Sequence, residues 1–260
     1  MVSKFIYKKS PVREEIRMRI FGTKKTLSID FGASDIKVIE GKYSKKAFII
    51  YKNFSISIPD KIYRNGTILD IHQLGEHLKN GLKEHRVSTN NVYGVINSTE
   101  IITRQITMPK VTPNEIESIL SYQVEEYIPI RSEDYIVQCI ILDSIYEDNM
   151  EKYNLLIVSI PKDMVEAHLN LLKNLNMRPN VLDFQGNSIT KLLRFNEVIN
   201  DKYEINNKNI VSIDIGYSGT KLTLTEDSKI KIARFLDSSI ENWLRDINKK
   251  VNIGRAEAKK

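Results

Sequence analysis

The sequence DFGASDIK at residues 30–37 recurs as DIGYSGTK at residues 214–221. Four of the eight positions are identical, namely the Asp, the Gly, the Ser and the Lys. In each copy an apolar strand leads into a tight turn, and a second strand begins after it. The same supersecondary unit therefore occurs twice, which predicts two similar lobes that face each other across a cleft.

The residue types in these turns suit the binding of phosphate. Glycine lets the backbone approach a ligand closely, and successive backbone N–H groups with hydroxyls form an anion-binding concavity. Lys37 can neutralise phosphate charge, and a carboxylate at each strand end, Asp30 and Asp214, can hold hydrated Mg²⁺ through water. The alternative is a pair of ordinary hairpins, since Asp and Gly are common turn residues. Recurrence of the whole unit favours the phosphate-binding hypothesis.

Length and composition indicate a globular protein. The chain has 260 residues, of which 41% are hydrophobic and 28% charged, so a disordered or collagen-like chain is excluded. Its single cysteine, Cys139, excludes an internal disulfide and a Cys-based zinc site, and we expect an inert core thiol in a reducing compartment. Neither a signal peptide nor a membrane-spanning apolar run is visible. The sequence predicts a cytosolic protein, or one attached to a membrane from its cytosolic side.

The excess positive charge lies at the N-terminus. Residues 1–25 contain eight basic and two acidic residues, which accounts for the whole net charge of +6. The remaining residues are neutral overall, so no nucleic-acid partner is expected. Ser10-Pro11 predicts a helix start, and Val12, Ile16 and Ile20 form an apolar stripe beside arginines. A basic amphipathic helix suits an anionic membrane surface, and the alternative is a helix that packs on the body or frays.

The hydrophobic pattern mixes strands and helices throughout, which predicts an α/β or α+β class. A capping signature, Thr112-Pro113-x-Glu115, opens one of the helices. Strands are predicted at 26–31, 35–40, 47–58, 91–97, 101–108, 135–142, 153–160, 180–184, 210–215, 220–225 and 229–235. Helices are predicted at 71–84, from 112 to about 128, 161–176, 187–195 and 239–251. The four histidines, at positions 72, 77, 85 and 168, are interpreted as polar surface residues because their spacing does not form a ligand set.

The segment between the two turns narrows the interpretation. It contains ITRQITMP at 102–109, Glu115 and YQVEEYIP at 122–129. The two turns resemble the phosphate loops of the actin-like ATPase superfamily, and the segment between them is similar to the PilM family of cytosolic proteins in type IV pilus assembly. The resemblance covers about residues 24–260. It implies an α/β fold with ribonuclease H-like lobes and a small α+β (SHS2-like) subdomain inserted into the first lobe.

The resemblance also implies domain boundaries. It divides the chain into a basic N-terminal segment 1–25, a first lobe 26–87 and 161–205, an inserted subdomain 88–160, and an incomplete second lobe 206–260. The family's glycine-rich adenosine-binding segment is not found after Arg255. ATP and Mg²⁺ are therefore candidate cofactors whose binding is expected to be weak or absent.

Family roles can be carried over residue by residue. Asp30 and Asp214 would lie near Mg²⁺, and Gln185 would orient water, although an equally favoured alternative is that Gln185 caps the following helix. Ala33 stands where many relatives have Ser or Thr, which removes one hydroxyl contact. The residues expected around the phosphates are Gly32, Ala33, Ser34, Lys37, Gly216, Tyr217, Ser218 and Gly219.

The resemblance implies a cytosolic adaptor at the inner membrane. It would bind the short cytosolic tail of a PilN-like membrane protein in a groove between the inserted subdomain and the first lobe, with nucleotide as a regulator. One alternative is a catalytic ATPase or kinase, which needs an adenosine site. A second is an FtsA-like division protein, which would need a C-terminal membrane helix. Whether the chain is an enzyme is left open, and the adaptor is favoured.

Overall fold

A five-stranded sheet forms the centre of the first lobe. The computed structural model describes residues 24–44 and 47–251, so the stripe at Val12, Ile16 and Ile20 lies outside the described residues. The strand order is β10-β6-β1-β2-β3, with β1, β2 and β3 antiparallel and with β6 and β10 parallel to β1. These strands are β1 (Thr26–Phe31), β2 (Asp35–Ser44), β3 (Ala47–Ser57), β6 (Asn91–Ile96) and β10 (Arg178–Phe184).

Two helices cover one face of this sheet. They are α1 (Ile71–Glu84) and α3 (Lys162–Asn174). The Asp70 carboxylate caps α1 by accepting a hydrogen bond from the Gln73 N–H at 2.9 Å. Apolar residues alternate along the strands and recur at helical spacing along α1, so both elements turn one side inward. Between β3 and α1 lies a small two-stranded ribbon of β4 (Tyr63–Arg64) and β5 (Thr67–Ile68).

The inserted subdomain is a three-stranded antiparallel sheet of order β7-β9-β8 with one helix. The predicted capping box is confirmed, because Thr112 and Glu115 exchange side-chain-to-backbone hydrogen bonds at the helix start. The helix packs Ile116 and Leu120 on one face of the sheet, while Leu156 and Val158 on the other face join the core of the first lobe. The elements are β7 (Ile102–Pro109), α2 (Pro113–Tyr127), β8 (Tyr135–Glu147) and β9 (Met150–Pro161).

One predicted boundary of this subdomain is wrong. The strand at 91–97 was assigned to the inserted subdomain, but β6 lies between β1 and β10 in the sheet of the first lobe. The physical reason is its parallel pairing with β1, which buries Val92 and Ile96 in the core of that lobe. The excursion from the first lobe therefore begins after Ile96, where the chain leaves the sheet.

The second lobe repeats the start of the first. The strands β13, β14 and β15 form an antiparallel meander, and α5 follows it. Asp30 pairs with Lys37 across β1 and β2, and Asp214 pairs with Lys221 across β13 and β14, so the two copies share one register. The elements from the lobe connection onward are α4 (Gln185–Phe195), β11 (Val198–Ile199), β12 (Tyr203–Glu204), β13 (Asn209–Ile215), β14 (Thr220–Glu226), β15 (Lys229–Leu236) and α5 (Ile240–Val251).

Two single-residue expectations meet different outcomes. Cys139 is partly buried beside the α2 core, and burial raises the pKa of its thiol to about 11, as expected for an unreactive thiol. His168 was interpreted as a surface residue, which is wrong, because it is fully buried. Its Nδ1 donates to the Met164 carbonyl at 2.8 Å, and its Nε2 lies 3.2 Å from the Tyr63 hydroxyl. Two good partners let a polar ring replace an apolar one in the core.

No helix among the described residues is both long enough and apolar enough to cross a bilayer.

The buried histidine predicts a loss of stability in acid. Burial lowers the pKa of His168 from its usual 6.5 to about 4, so the unfolded chain binds more protons as the pH falls through this window. We expect His168 to lower the free energy of unfolding by about 3 kcal/mol as the pH falls from 6.5 to about 4. Urea unfolding of the wild type and of His168→Phe as a function of pH should show a flatter acid limb in the variant. If the free energy of unfolding fell equally with pH in both proteins, His168 would not be the source of the acid destabilisation.

Candidate phosphate-binding site

The two repeated turns share one steric constraint. A Cβ placed on Gly32 would lie 2.5 Å from the Asp35 carbonyl oxygen, and one on Gly216 would lie 2.8 Å from the Gly219 carbonyl oxygen. In both copies the obstructing carbonyl belongs to the residue three positions on. The Gly216 N–H also donates to the Gly219 carbonyl at 3.0 Å, which closes the turn. Only glycine fits this conformation, and that explains why it recurs at the same position.

The carboxylate of Asp214 connects the two lobes. Its Oδ2 accepts hydrogen bonds from Lys221 Nζ and from Gln185 Nε2, both at 2.8 Å. Gln185 is the first residue of α4, so an amide of the first lobe's last helix meets a carboxylate of the second lobe. Burial alone would raise the pKa of Asp214, but these two donors and the Lys37 ammonium outweigh it and hold the pKa below its ordinary value. Asp214 is therefore a fixed anion in the cleft.

Asp30 has the opposite electrostatic character. Its Oδ1 is buried and has no hydrogen-bond partner among the described residues. Burial raises its pKa above the ordinary value, Lys221 and Lys37 partly offset this, and Asp214 reinforces it. Lys221 and Asp214 act on Asp30 from the other lobe, so the two motifs face each other as the repeat predicted. An unpaired buried carboxylate oxygen is an available acceptor for a cation or its water.

The other expected phosphate contacts divide into four groups. Ser34 Oγ donates to Asp35 Oδ2 at 2.7 Å, so this hydroxyl already has an acceptor. The Tyr217 hydroxyl lies 3.5 Å from a carboxylate oxygen of Asp60, on the other side of the cleft. Gly219 is required by packing, because a Cβ there would lie 2.4 Å from the Phe235 ring. Ala33 and Ser218 are half-buried within their turns.

Asn97 belongs to this site and was missed from the sequence. Its Oδ1 accepts the Gln185 backbone N–H at 3.2 Å, and its Nδ2 is buried without a partner among the described residues. It directly follows β6, whose carboxyl end lies beside those of β1 and β10 because the three strands are parallel. Ligands bind at such carboxyl ends. Pairing of β6 with β1 would have placed Asn97 at this site. The wrong boundary assigned β6 to the inserted subdomain, so Asn97 was not considered.

These residues fit a hydrated cation with its phosphates better than a directly bound metal. Within residues 24–44 and 47–251, no group of three or more His, Cys, Asp or Glu side chains is arranged to hold a metal ion. Two carboxylates from opposite lobes can instead hold the waters of Mg²⁺, which keeps several of them and takes phosphate oxygens as further ligands. Lys37 and Lys221 would offset the remaining negative charge.

Comparison with known proteins agrees with this architecture. The model of the family described as type IV pilus assembly protein PilM matches residues 28–258. The chain belongs to the PilM family. A search of curated protein sequences gives no match.

One solved structure shares the fold of this PilM-family chain, and two others match it more weakly. A structure titled as the PilM-PilN type IV pilus biogenesis complex matches with a TM-score of 0.76 and 21% identity, covering 90% of this chain and 68% of that one. The cytoplasmic domain of EpsL from the type II secretion system of Vibrio cholerae matches with a TM-score of 0.49 and 11% identity, over 82% and 71% of the two chains. MreB5 of Spiroplasma citri bound to ADP matches with a TM-score of 0.43 and 14% identity. The match covers 91% of this chain and 61% of that one. The likeness to the PilM-PilN structure, together with the repeated strand–turn–strand unit and the inserted subdomain, confirms the expected fold.

The turn constraint gives a stability test. Gly32→Ala should lower the free energy of unfolding by roughly 1–3 kcal/mol, since the added methyl group meets a backbone carbonyl that cannot move without opening the turn. The matched control is Gly75→Ala in α1, where the Cβ would meet Leu171 at an ordinary 3.5 Å and helix propensity favours alanine. Chemical unfolding measures both variants. Equal effects of the two substitutions would refute the steric account.

Proposed function

We propose that this PilM-family protein is a cytosolic adaptor of a type IV pilus or related secretion machine at the inner membrane. It binds the cytosolic tail of a PilN-like membrane protein. The observation that carries the proposal is the likeness to PilM in the complex with PilN together with an apolar crevice, described below, between the inserted subdomain and the first lobe. The two glycine turns with Asp30 and Asp214, the candidate phosphate-binding cleft, support nucleotide as a regulator of that binding.

The crevice, named here the β8–β10 crevice, has a volume of about 10 Å³, so an extended peptide would have to widen it on binding. Five of its eight lining residues are apolar, so burial of hydrophobic side chains would supply the affinity. β10 is the outer strand of its sheet among the described residues, so main-chain groups on its outer edge could pair with an added segment once the crevice widens. The lining residues are Gln138, Ile140 and Val158 from the inserted subdomain and Val181, Leu182, Asp183, Phe184 and Asn187 from the first lobe.

A buried carboxylate fixes the floor of the crevice. Asp183 accepts hydrogen bonds from Asn187 Nδ2 at 2.9 and 3.0 Å and pairs with Lys191 at 3.0 Å. These contacts tie the end of β10 to the first turns of α4. Because Gln185 lies between them and reaches Asp214, the peptide crevice and the phosphate cleft share one short stretch of chain. This stretch is the route by which nucleotide would regulate the adaptor.

Peptide binding should depend on the apolar wall. Ile140→Glu places a charge in the crevice, so we expect it to weaken binding of a synthetic PilN cytosolic-tail peptide by at least about tenfold. Fluorescence anisotropy with the labelled peptide measures the affinity. The matched control is Tyr122→Glu, which adds the same charge to a side chain that is 86% exposed on α2, outside the crevice.

A second variant localises the site. Another groove of about 340 Å³ lies between β7 and β15, and Arg234 is part of its lining. Arg234→Glu should leave the peptide affinity unchanged. Loss of binding in Arg234→Glu but not in Ile140→Glu would place the peptide in that groove and refute the β8–β10 crevice as the site.

The phosphate cleft gives an independent prediction. Asp30→Asn removes the negative charge that holds the waters of Mg²⁺ while keeping the side-chain shape. We expect weak Mg·ATP binding to the wild type, a loss of at least about fivefold in the variant, and no loss in the exposed Asp201→Asn control. Isothermal calorimetry measures all three. An unchanged affinity in Asp30→Asn would mean that the carboxylate plays no part in nucleotide binding.

A further inference from the structure

The end of the β2–β3 hairpin exposes a run of large apolar side chains. The exposed fractions are 56% for Phe48, 39% for Ile49, 58% for Ile50 and 42% for Tyr51. An uninterrupted apolar run at the far end of a hairpin is unusual in a soluble domain, where such surface marks an interaction site. The first residue of this run is well anchored, because the Phe48 ring lies 4.4 Å, centroid to centroid, from the ring of Phe195.

The apolar residues lie on both faces of the hairpin. Phe48 pairs with Tyr43, Ile49 with Lys42 and Ile50 with Gly41. Successive strand residues point to opposite faces, so Phe48 and Ile50 share one face and Ile49 lies on the other. A helix or sheet that packs on the hairpin from one side would cover only one of these faces. An environment that surrounds the hairpin end would cover both.

The basic N-terminal segment joins the body at this same end. Thr26 pairs with Gly41, and Lys25 Nζ lies 4.9 Å from the centre of the Tyr51 ring. The Lys25 carbonyl accepts hydrogen bonds from Thr89 Oγ1 at 3.0 Å and from Asn91 Nδ2 at 3.4 Å. These contacts hold Lys25, the last residue of the basic segment, beside the exposed hairpin.

Charge and apolar surface are therefore collected at one end of the first lobe. Residues 41–53 contain four lysines and no acidic residue, and residues 1–25 carry the whole net charge of the chain. Lys52 is paired with the buried Glu40 at 3.2 Å, whereas Lys42 has no ion pair among the described residues. Apolar and aromatic side chains flanked by lysines match the boundary between anionic headgroups and acyl chains.

We infer that the hairpin end, Phe48 to Tyr51, is a docking site for an anionic lipid surface. Phe48, Ile49 and Ile50 enter the acyl boundary, Tyr51 lies at headgroup level, and the neighbouring basic segment provides electrostatic attraction. The site is separate from the peptide crevice and the phosphate cleft. It attaches the adaptor directly to the bilayer beside its membrane partner, and it stands or falls independently of the proposed peptide binding.

Vesicle binding of the full chain tests this inference. Co-sedimentation uses phosphatidylcholine vesicles with or without about 30 mol% phosphatidylglycerol, at low and high salt. The wild type should bind the anionic vesicles and release at high salt. Phe48→Ser/Ile50→Ser should bind at least about tenfold more weakly, since two apolar anchors are lost. The matched control is Ile213→Ser/Ile232→Ser, which removes exposed apolar residues from the second lobe and should bind like the wild type.

A second measurement separates insertion from surface attraction. In the Trp243→Phe background, Ile49→Trp provides a single tryptophan at the hairpin end. Its fluorescence should shift to the blue on anionic vesicles and be quenched by lipids brominated on the acyl chains. Three results would each overturn the inference: no vesicle binding by the folded wild type, equal binding of the wild type and Phe48→Ser/Ile50→Ser, or a tryptophan that the brominated lipids do not quench.

Discussion

The hydrogen bond between Gln185 and Asp214 is the contact on which the arrangement of the cleft depends. It joins the first residue of α4 to the penultimate residue of β13, and Lys221 holds the same carboxylate oxygen from the second lobe. A second contact, between the Tyr217 hydroxyl and an Asp60 oxygen of the first lobe at 3.5 Å, supports it. In this arrangement, the Asp214 carboxylate is close enough to Asp30 to raise the pKa of that carboxyl. Like charges held together in a partly buried cleft favour a bound cation.

The inserted subdomain strengthens this arrangement from the side. Gln105 Nε2 donates to the Ile230 carbonyl at 2.5 Å, and Thr103 Oγ1 donates to the Ala233 carbonyl at 3.1 Å, so β7 holds the edge of β15. Lys229 and Asp143 add an ion pair at 2.9 Å. The subdomain thus contacts the second lobe through β7 and β8 while Val158 lines the β8–β10 crevice. A peptide that shifts the inserted sheet would shift the second lobe with it, which relates partner binding to the width of the phosphate cleft.

Local pattern predicted most elements of this fold, because strand alternation, helix periodicity and capping are properties of neighbouring residues. The helix at 71–84 and the strand at 26–31 have the predicted ends. The repeat also predicted that Asp30 and Asp214 approach each other. The sequence misplaced β6 and missed Asn97 for one reason: which strand lies beside which is decided by pairing across some 65 residues. His168 was misjudged because its partner Tyr63 is 105 residues away.

Burial is the property that local pattern determines least. Leu27 and Ile29 in β1 are fully buried, while Val211 and Ile213, at the same positions of the repeat, are 54% and 61% exposed. The residue types and the register are nearly the same, so the difference comes from what packs against each sheet. β1 pairs with β6 on the edge that does not pair with β2, and α1 and α3 pack over its face. By contrast, no described strand pairs with the outer edge of β13. An apolar strand indicates only that its face can be buried. The tertiary contacts of the fold determine which strands are in fact buried.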